Sequence, residues 1–451
     1  MSDLHHEPDD FALDDGSRIA VVGGGPTGSF FSIFAMKMAK MVGKEIEVTI
    51  FEPKDFRAGG PGSCNRCGGI ISELLAQTLA VEGISLPSSV IQKGINTYNL
   101  HTEVGSVIIE TPAHEKTIAA VYRGTGPKGM GNFGKDSFDA FLLEEAIKEG
   151  AVHRSVKVDW IERTNGRPVL YSKGEKIMEA DLLVGAHGIN SRNDGIFKEL
   201  DFGYRPPETT KTAIAEISFG KEEVEERFGN SVHLFLLPID DIKFAAMIPK
   251  NAYVTLCILG KDIDREKVQA FLDHPVVRKV VPEEASSRLG CMCLPNMNIK
   301  APDKPFADRV VACGDAGSTR LFKDGIGAAY IMGKAAAKTA VFDGVSEAHF
   351  REHYLPVYKS LIVDNRYGGF LFRVTDLYRK YRFLTFAMLK VVEAEQAGSG
   401  NGNKVFSSIL WDMFTGNERY RNIFFRAFNI RMKLSTIKEI FKYFNGGSNG
   451  N

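Results

Sequence analysis

The stretch Ile19-Ala-Val-Val-Gly-Gly-Gly-Pro-Thr-Gly28 decides the fold of this chain. It joins an apolar, strand-like run to the helix-like run Phe30–Val42 through a turn with the G-x-G-x-x-G pattern. Glycines permit so tight a turn, and the N–H groups that begin the helix can then hold a pyrophosphate at the positive end of the helix dipole. The predicted binding loop comprises Gly23, Gly25, Pro26, Thr27 and Gly28.

A carboxylate follows where a dinucleotide site needs one. Glu52 closes the second strand-like run, Glu45–Phe51. Its side chain can accept hydrogen bonds from both ribose hydroxyls and would repel a 2′-phosphate. The sequence therefore favours a dinucleotide other than NADP.

The composition argues against several classes of protein. The chain has 451 residues, and its 56 basic and 56 acidic residues give a formal net charge of zero, which disfavours a general nucleic-acid binder. The acidic, polar residues 1–15 do not resemble a signal peptide, and no apolar run is long enough to span a bilayer. Six cysteines in so long a chain do not form a disulfide scaffold, so a cytoplasmic location is expected.

The order of strand-like and helix-like runs predicts an α/β fold in which one domain interrupts another. Arg18–Phe51 has a β-α-β pattern, and a strand at Arg309–Cys313 with a helix from about Gly325 returns to the same domain. Several β-rich runs between Lys211 and Gly260 indicate an antiparallel sheet. We therefore predict a discontinuous Rossmann-like domain, an antiparallel β-sheet substrate domain and a helical C-terminal region. The predicted boundaries are 1–16 for a disordered acidic tail, 17–90, 121–200 and 300–345 for the nucleotide domain, 91–120 and 201–299 for the β domain, and 346–451 for the helical region.

Two downstream motifs complete a pattern that resembles a known family. Cys313-Gly314-Asp315-Ala-Gly317 follows the late strand, and Asp324-Gly325-Ile326-Gly327 comes shortly after it. Together with the N-terminal loop and Glu52, they resemble the FAD-dependent geranylgeranyl reductase family, within the wider group that includes single-component flavin hydroxylases. The resemblance covers roughly residues 17–345 at the level of the fold.

The resemblance implies FAD as the cofactor. The N-terminal loop and Glu52 would bind its ADP half, and Gly314-Asp315 would meet the ribityl–pyrophosphate region. The helix that begins with Gly325, Ile326 and Gly327 would point at the pyrimidine edge of the flavin. Its dipole would there stabilise negative charge on the reduced ring.

A cysteine-containing loop is the second part of the resemblance. Cys64-Asn-Arg-Cys67-Gly68-Gly69 is similar to a Cys-Gly-Gly loop that lies near the reactive face of the flavin in this family. Cys67 could donate a proton to a substrate carbon, since a thiol is mostly protonated at neutral pH. Cys64 and Cys67 could instead form a redox-active disulfide, or both could simply be small side chains beside a turn. A metal site with Cys291 and Cys293 is disfavoured because C-x-C is a poor zinc spacing.

Three positions depart from the family pattern. Lys135 replaces the arginine that precedes Phe-Asp in the family, and it is still expected to bind a cofactor phosphate. His187 stands where relatives often have aspartate, which weakens the hydroxylase interpretation; it is expected to form hydrogen bonds at the site rather than to catalyse. The apolar stretch His233–Pro238 takes the place of the family's isoprenoid-binding segment, so a hydrophobic tunnel is expected there.

The leading functional hypothesis is a flavin-dependent reductase that saturates carbon–carbon double bonds of an isoprenoid or related lipid. The alternatives are a flavin monooxygenase acting on a quinone or aromatic ring, and a C-x-x-C electron-transfer flavoprotein. Electrons could come from NAD(P)H or from a redox protein such as ferredoxin.

The C-terminal hundred residues mix basic and aromatic side chains at helical spacing, most clearly in Phe370–Lys390 and Arg419–Phe444. Such helices suit peripheral contact with the inner face of a membrane. They could equally pack on the body of the protein or on a second subunit.

Overall fold

The computed structural model describes residues 11–60, 62–111, 116–124, 136–190, 196–197, 200–282, 288–398 and 404–446. The strands are β1 (Arg18–Val22), β2 (Glu47–Phe51), β3 (Ile70–Ser72), β4 (Ile91–Ile95), β5 (Thr97–Thr102), β6 (Gly105–Glu110), β7 (Ile118–Val121), β8 (Val152–Arg154), β9 (Trp160–Thr164), β10 (Arg167–Ser172), β11 (Glu175–Glu179), β12 (Leu182–Gly185), β13 (Glu208–Lys211), β14 (Ala213–Ser218), β15 (Ser231–Phe235), β16 (Ile242–Pro249), β17 (Tyr253–Gly260), β18 (Leu289–Cys293), β19 (Asn296–Lys300), β20 (Phe306–Ala307) and β21 (Val310–Ala312). The helices are α1 (Pro26–Met41), α2 (Glu73–Val81), α3 (Phe138–Lys148), α4 (Lys221–Phe228), α5 (Arg265–Asp273), α6 (Pro275–Arg278), α7 (Gly325–Lys338), α8 (Glu347–His349), α9 (Leu355–Lys380), α10 (Arg382–Gln396), α11 (Val405–Phe414), α12 (Tyr420–Arg426) and α13 (Ile430–Gly446).

A six-stranded sheet with the order β20-β21-β12-β1-β2-β8 forms the centre of the nucleotide domain. All its pairs are parallel except β20 with β21. Because parallel strands end at the same edge, the turns after β1, β12 and β21 meet there, although they are far apart in the chain. Helices α1, α3 and α7 share a hydrophobic core with one face of the sheet. The opposite face packs on the three-stranded sheet β11-β10-β9, which the sequence did not predict.

The second large sheet has seven strands in the order β18-β14-β17-β16-β15-β5-β6. Its pairs are antiparallel, as predicted for this region, apart from the parallel pair β15–β5. One face shares a core with α4 and α5. The other face shares a core with the C-terminal helices, where Tyr98 of β5 stacks on Trp411 of α11 at a centroid distance of 4.5 Å.

The observed fold is therefore α/β, with a discontinuous Rossmann-like domain, a largely antiparallel β-sheet domain and a helical C-terminal region, as the sequence predicted. None of the helices in the described ranges is long and apolar enough to cross a bilayer.

Candidate active site

The turn after β1 requires glycine at two of its positions. Gly23 has φ +108°, and a Cβ there would lie 2.4 Å from the main-chain oxygen of Ala186. A Cβ on Gly28 would lie 1.9 Å from the main-chain oxygen of Gly23. Helix α1 then begins with Gly25 as its N-cap residue and Pro26 in its first turn, and no side chain caps it. Its first N–H groups are therefore placed to bind an anion.

Glu52 lies directly beside this turn. The residue is 8% exposed, and its Oε2 accepts a hydrogen bond from the Gly24 N–H at 3.0 Å while Oε1 accepts one from the Lys54 N–H at 2.9 Å. These bonds hold the carboxylate at the end of β2. Each oxygen retains a second lone pair, so the group can still accept a hydrogen bond from a ribose hydroxyl.

The Gly-Asp motif after β21 touches the first glycine loop. A Cβ on Gly314, which has φ +61°, would lie 2.0 Å from Thr27 Oγ1. The next residue, Asp315, is fixed through its main-chain oxygen, which accepts a hydrogen bond from Asn298 Nδ2 at 2.8 Å. Burial raises the pKa of the Asp315 carboxyl, although the Arg123 guanidinium and a hydrogen bond from Thr319 oppose the shift. The glycine loop after β1 and the Gly-Asp motif after β21 thus form one continuous surface.

The start of α7 is built differently from the start of α1. Asp324 adopts a left-handed conformation with φ +49°, and its Oδ1 accepts the Gly327 N–H at 3.0 Å. Its Oδ2 accepts a hydrogen bond from Arg320 Nη1 at 2.5 Å. The side chain therefore occupies one donor of the predicted flavin-facing helix end. The N–H groups of Gly325 and Ile326 are the remaining first-turn donors that a ligand could use.

The C-terminal region contributes to this part of the site, which the sequence did not predict. Lys323 Nζ donates to the main-chain oxygens of Asp412 and Glu418, each at 2.8 Å. A Cβ on Gly416 would lie 2.5 Å from Cγ of Asp324. The segment that links α11 to α12 therefore lies directly on the loop that begins α7.

The Cys64–Gly69 loop is fixed by a buried ion pair. Asp139, which is fully buried on α3, binds Arg123 (Nη2–Oδ1, 2.9 Å) and accepts a hydrogen bond from Asn65 Nδ2 at 2.7 Å. Lys54 Nζ donates to Oδ1 of the same Asn65 at 3.0 Å. Arg123 was not singled out from the sequence, because its partner is reached only through the fold.

Both cysteines of the loop are free thiols. The sulfur of Cys64 accepts a hydrogen bond from the Arg66 N–H at 3.1 Å, and that of Cys67 accepts one from the Gly69 N–H at 3.5 Å. Burial raises the pKa of the Cys64 thiol, which keeps it protonated. A Cβ on Gly68 would lie 2.9 Å from the sulfur of Cys257 on β17, so the loop lies against the seven-stranded sheet.

A row of reactive side chains on that sheet faces the loop. Glu216 of β14 pairs in register with Thr255 of β17 and with Cys291 of β18, so all three project from the same face as Cys257, two residues further along β17. Thr255 Oγ1 donates to Glu216 Oε2 at 2.7 Å. Burial raises the pKa of Glu216 to about 7, even though Lys250 acts to lower it. The site therefore holds a carboxyl group that titrates near neutral pH.

Lys250 connects this face with the loop. Its Nζ donates to the main-chain oxygen of Val121 at 2.8 Å, and a Cβ on Gly69 would lie 2.9 Å from the same Nζ. Neither Lys250 nor Glu216 belongs to a motif that would select it from the sequence. The one available signal was a charged residue, Glu216, in a strand whose other residues are apolar apart from Ser218.

The structure locates some of the remaining residues predicted from the sequence and leaves others untested. His187 lies beside Gly23, and its Nδ1 is buried without a hydrogen-bond partner in the described parts of the chain; burial lowers the pKa of the imidazole to about 4. Lys135 lies outside the described residues. The substrate tunnel along His233–Pro238 stays a prediction. No group of three or more His, Cys, Asp or Glu residues in the described ranges is arranged to hold a metal ion.

No protein-family model and no curated protein matches this chain. Solved structures do resemble it. A geranylgeranyl bacteriochlorophyll reductase-like protein from Thermoplasma acidophilum aligns over 96% of this chain and 100% of its own, with a TM-score of 0.56 and 16% identity. A flavoprotein/dehydrogenase from Cytophaga hutchinsonii aligns over 95% of this chain and 100% of its own, with a TM-score of 0.59 and 17% identity. A triple mutant of the flavin-dependent brominase Bmp2 aligns over 91% of this chain and 97% of its own, with a TM-score of 0.58 and 14% identity. At these identities the likeness shows the fold.

Proposed function

We propose that this protein is an FAD-dependent oxidoreductase that reduces carbon–carbon double bonds of an isoprenoid or related lipid. The observation that carries the proposal is the position of the Cys64–Gly69 loop, which lies against a sheet face that holds Glu216. The likeness to a geranylgeranyl bacteriochlorophyll reductase-like protein supports it at the level of the fold.

The residues present fit the ADP half of FAD. The uncapped start of α1 suits the pyrophosphate, Glu52 suits the ribose, and the contact of Gly314 with Thr27 forms the surface between them. The unpartnered Nδ1 of His187 is a buried polar atom that a bound ligand would satisfy. When bound, reduced FAD supplies a hydride to the substrate.

This chain's own residues must supply the proton that completes the reduction. An isolated alkene cannot stabilise a carbanion, so proton donation to one carbon has to accompany hydride addition to the other. Cys67 is the proposed donor. Glu216, with a pKa of about 7, can return a proton to the loop at neutral pH, and the hydrogen bond from Thr255 holds its carboxyl in place. The product gains two hydrogens, and the two electrons come from the reduced cofactor.

A second candidate is a flavin monooxygenase acting on a quinone or aromatic ring. The same face carries Tyr253, on which Tyr122 stacks at a centroid distance of 5.3 Å, and Lys250 Nζ lies 5.6 Å from the ring centroid of Tyr122. Such polar and aromatic groups suit a ring with oxygen substituents. The flavin-dependent brominase among the similar structures shows that this fold also serves other flavin chemistry.

Anaerobic turnover separates the candidates. The purified holoprotein is reduced without oxygen and incubated with prenyl lipids, and the products are analysed by mass spectrometry. The reductase predicts lipid that has gained two hydrogens for each double bond lost. Turnover that requires oxygen and inserts an oxygen atom would identify the monooxygenase. A dithiol–disulfide couple that titrates with the flavin, without lipid turnover, would identify an electron-transfer flavoprotein. The physiological donor, NAD(P)H or a ferredoxin-like protein, is the one that reduces the bound flavin fastest.

A further inference from the structure

The last helix carries an apolar stripe that faces away from the protein. Five side chains of α13 are between 48% and 73% exposed, and they are Ile430, Leu434, Ile437, Phe441 and Phe444. Their spacing of alternately four and three residues places them on one face of a helix. A different side of α13 already packs on α10, where Tyr443 meets Phe386 at a centroid distance of 5.3 Å. The end of the stripe also meets α10, where the ring of Phe444 lies 5.4 Å from that of Phe383. The rest of the stripe, from Ile430 to Phe441, is additional to the surface that holds the helix in place.

Aromatic side chains extend this stripe towards α12. Phe425 and Phe428 are 55% and 53% exposed. Lys433 Nζ, which borders the stripe, lies 4.5 Å from the ring centroid of Phe428. The apolar surface thus continues from the start of α13 onto the preceding turn, and it is larger than the isolated exposed side chains that are normal on soluble proteins.

Basic residues flank the stripe on both sides. At 100° per residue, Arg431 and Lys438 lie on one side of it and Lys433 on the other. The segment 419–446 contains seven basic residues and a single acidic one, Glu439, in a chain whose net charge is zero. An apolar stripe with basic flanks is the pattern of a helix that lies in the interface of a membrane.

The charges also distinguish between possible occupants of the stripe. A second copy that docked through the same face would bring the basic flanks of two helices together, and like charges at such positions oppose pairing. The headgroups of anionic lipids attract the same side chains, and the lysine and arginine stems can extend along the apolar surface towards them.

We propose that α13, together with Phe425 and Phe428, docks on the surface of an anionic phospholipid bilayer. The helix lies parallel to the membrane, with its apolar stripe in the boundary between headgroups and acyl chains. This inference is independent of the reaction proposed above, because it rests on the exposed side of the C-terminal helices alone. It does place the segment that covers Asp324 close to the bilayer, since that segment leads directly into α12.

Vesicle co-sedimentation of the full chain tests the proposal. The probes are vesicles of phosphatidylcholine with phosphatidylglycerol, and vesicles of phosphatidylcholine alone. The protein should bind the anionic vesicles, and added salt should weaken this binding. The double variant Leu434→Glu/Phe441→Glu should lose at least about tenfold in partitioning, because two large apolar side chains no longer enter the bilayer.

A matched control separates the stripe from general surface hydrophobicity. Met41→Glu/Val81→Glu removes two side chains that are 78% and 87% exposed elsewhere and adds the same charge. It should bind within about twofold of the unchanged protein. Lys433→Gln/Lys438→Gln leaves the stripe intact and should weaken binding to anionic vesicles only, which keeps the test decisive if the glutamate variant fails to fold.

Three results would overturn the proposal. The first is the absence of binding to anionic vesicles, and the second is an equal loss in the stripe variant and its control. The third is a dimer in analytical ultracentrifugation that the stripe variant converts to a monomer, because the face would then belong to a second copy of the chain.

Discussion

The two walls of the candidate site differ in how they are built. The wall formed by Gly23, Glu52 and Gly314 consists of turns at the ends of parallel strands, fixed by contacts that tolerate no side chain. The opposite wall combines a loop from the nucleotide domain with side chains from the β sheet, among them Glu216 and Lys250. The first wall is suited to hold a cofactor, and the second to act on whatever lies against it. Substitutions in the two walls should therefore have separable effects.

The largest expected effect is on the second wall. Cys67→Ser should lower turnover by about 10²–10⁴-fold, since a hydroxyl is a much weaker proton donor than a thiol in the same place. The flavin content and the affinity for FAD should not change. Single-turnover oxidation of the reduced holoprotein by substrate, with absorbance of the flavin as readout, measures the rate of the reaction and the flavin content.

Unchanged turnover in Cys67→Ser would remove Cys67 from the mechanism. A loss of flavin together with the activity would show instead that the loop belongs to the cofactor-binding wall. The effects of substitutions in the two walls would then not be separable.

The next effect is on the first wall. Gly23→Ala places a methyl group against Ala186 at a backbone conformation that costs about 1–3 kcal/mol, which is roughly 5- to 150-fold in FAD affinity if the loop opens to relieve it. Gly43→Ala is a matched control, because Gly43 also has a positive φ (+70°) but no atom within 4 Å of the added Cβ. Equilibrium dialysis with FAD should show a loss in the first variant alone. An equal loss of FAD affinity in both variants would mean that backbone strain, and not the contact with Ala186, weakens binding.

The difference between the walls also explains what the sequence could reveal. A glycine turn between a strand and a helix is a local pattern, so residues 19–28 predicted part of the first wall, and the role of the late Gly-Asp motif was predicted from the resemblance to a flavoprotein family. Glu216, Lys250 and Arg123 come together only through pairing between distant strands. The segment from Asp412 to Glu418 had no local signal either. It reaches the loop before α7 only because the C-terminal helices pack against the rest of the protein.

The titration of Glu216 provides a smaller effect. Its raised pKa means that the folded protein holds this proton until the pH reaches about 7, whereas the unfolded chain releases it near the ordinary value for glutamate. The stabilisation by this group is therefore present at low pH and is lost as the pH rises through about 7. If the acid form supplies protons, turnover should fall over the same range.

Glu216→Gln should abolish this inflection in the pH profile of turnover and reduce the rate below it by about tenfold. Thr255→Val should move the inflection to higher pH, because the hydrogen bond from Thr255 favours the ionised carboxylate. An inflection that persists in Glu216→Gln would assign it to another group, and the second wall would then lack its proton reservoir.

The smallest effect concerns the start of α7, beside the segment that links α11 to α12. Asp324→Asn keeps an acceptor for the Gly327 N–H but removes a carboxylate from the helix end that the sequence predicts to face the flavin. If this helix end stabilises the negative charge of the reduced ring, loss of the nearby carboxylate should stabilise that form by about 0.3–1 kcal/mol. For a two-electron couple this raises the midpoint potential by roughly 5–20 mV. Asp303→Asn, an exposed site, controls for net charge. A potential that does not change, or that falls, would place the flavin away from α7 and would show that Asp324 only caps the helix.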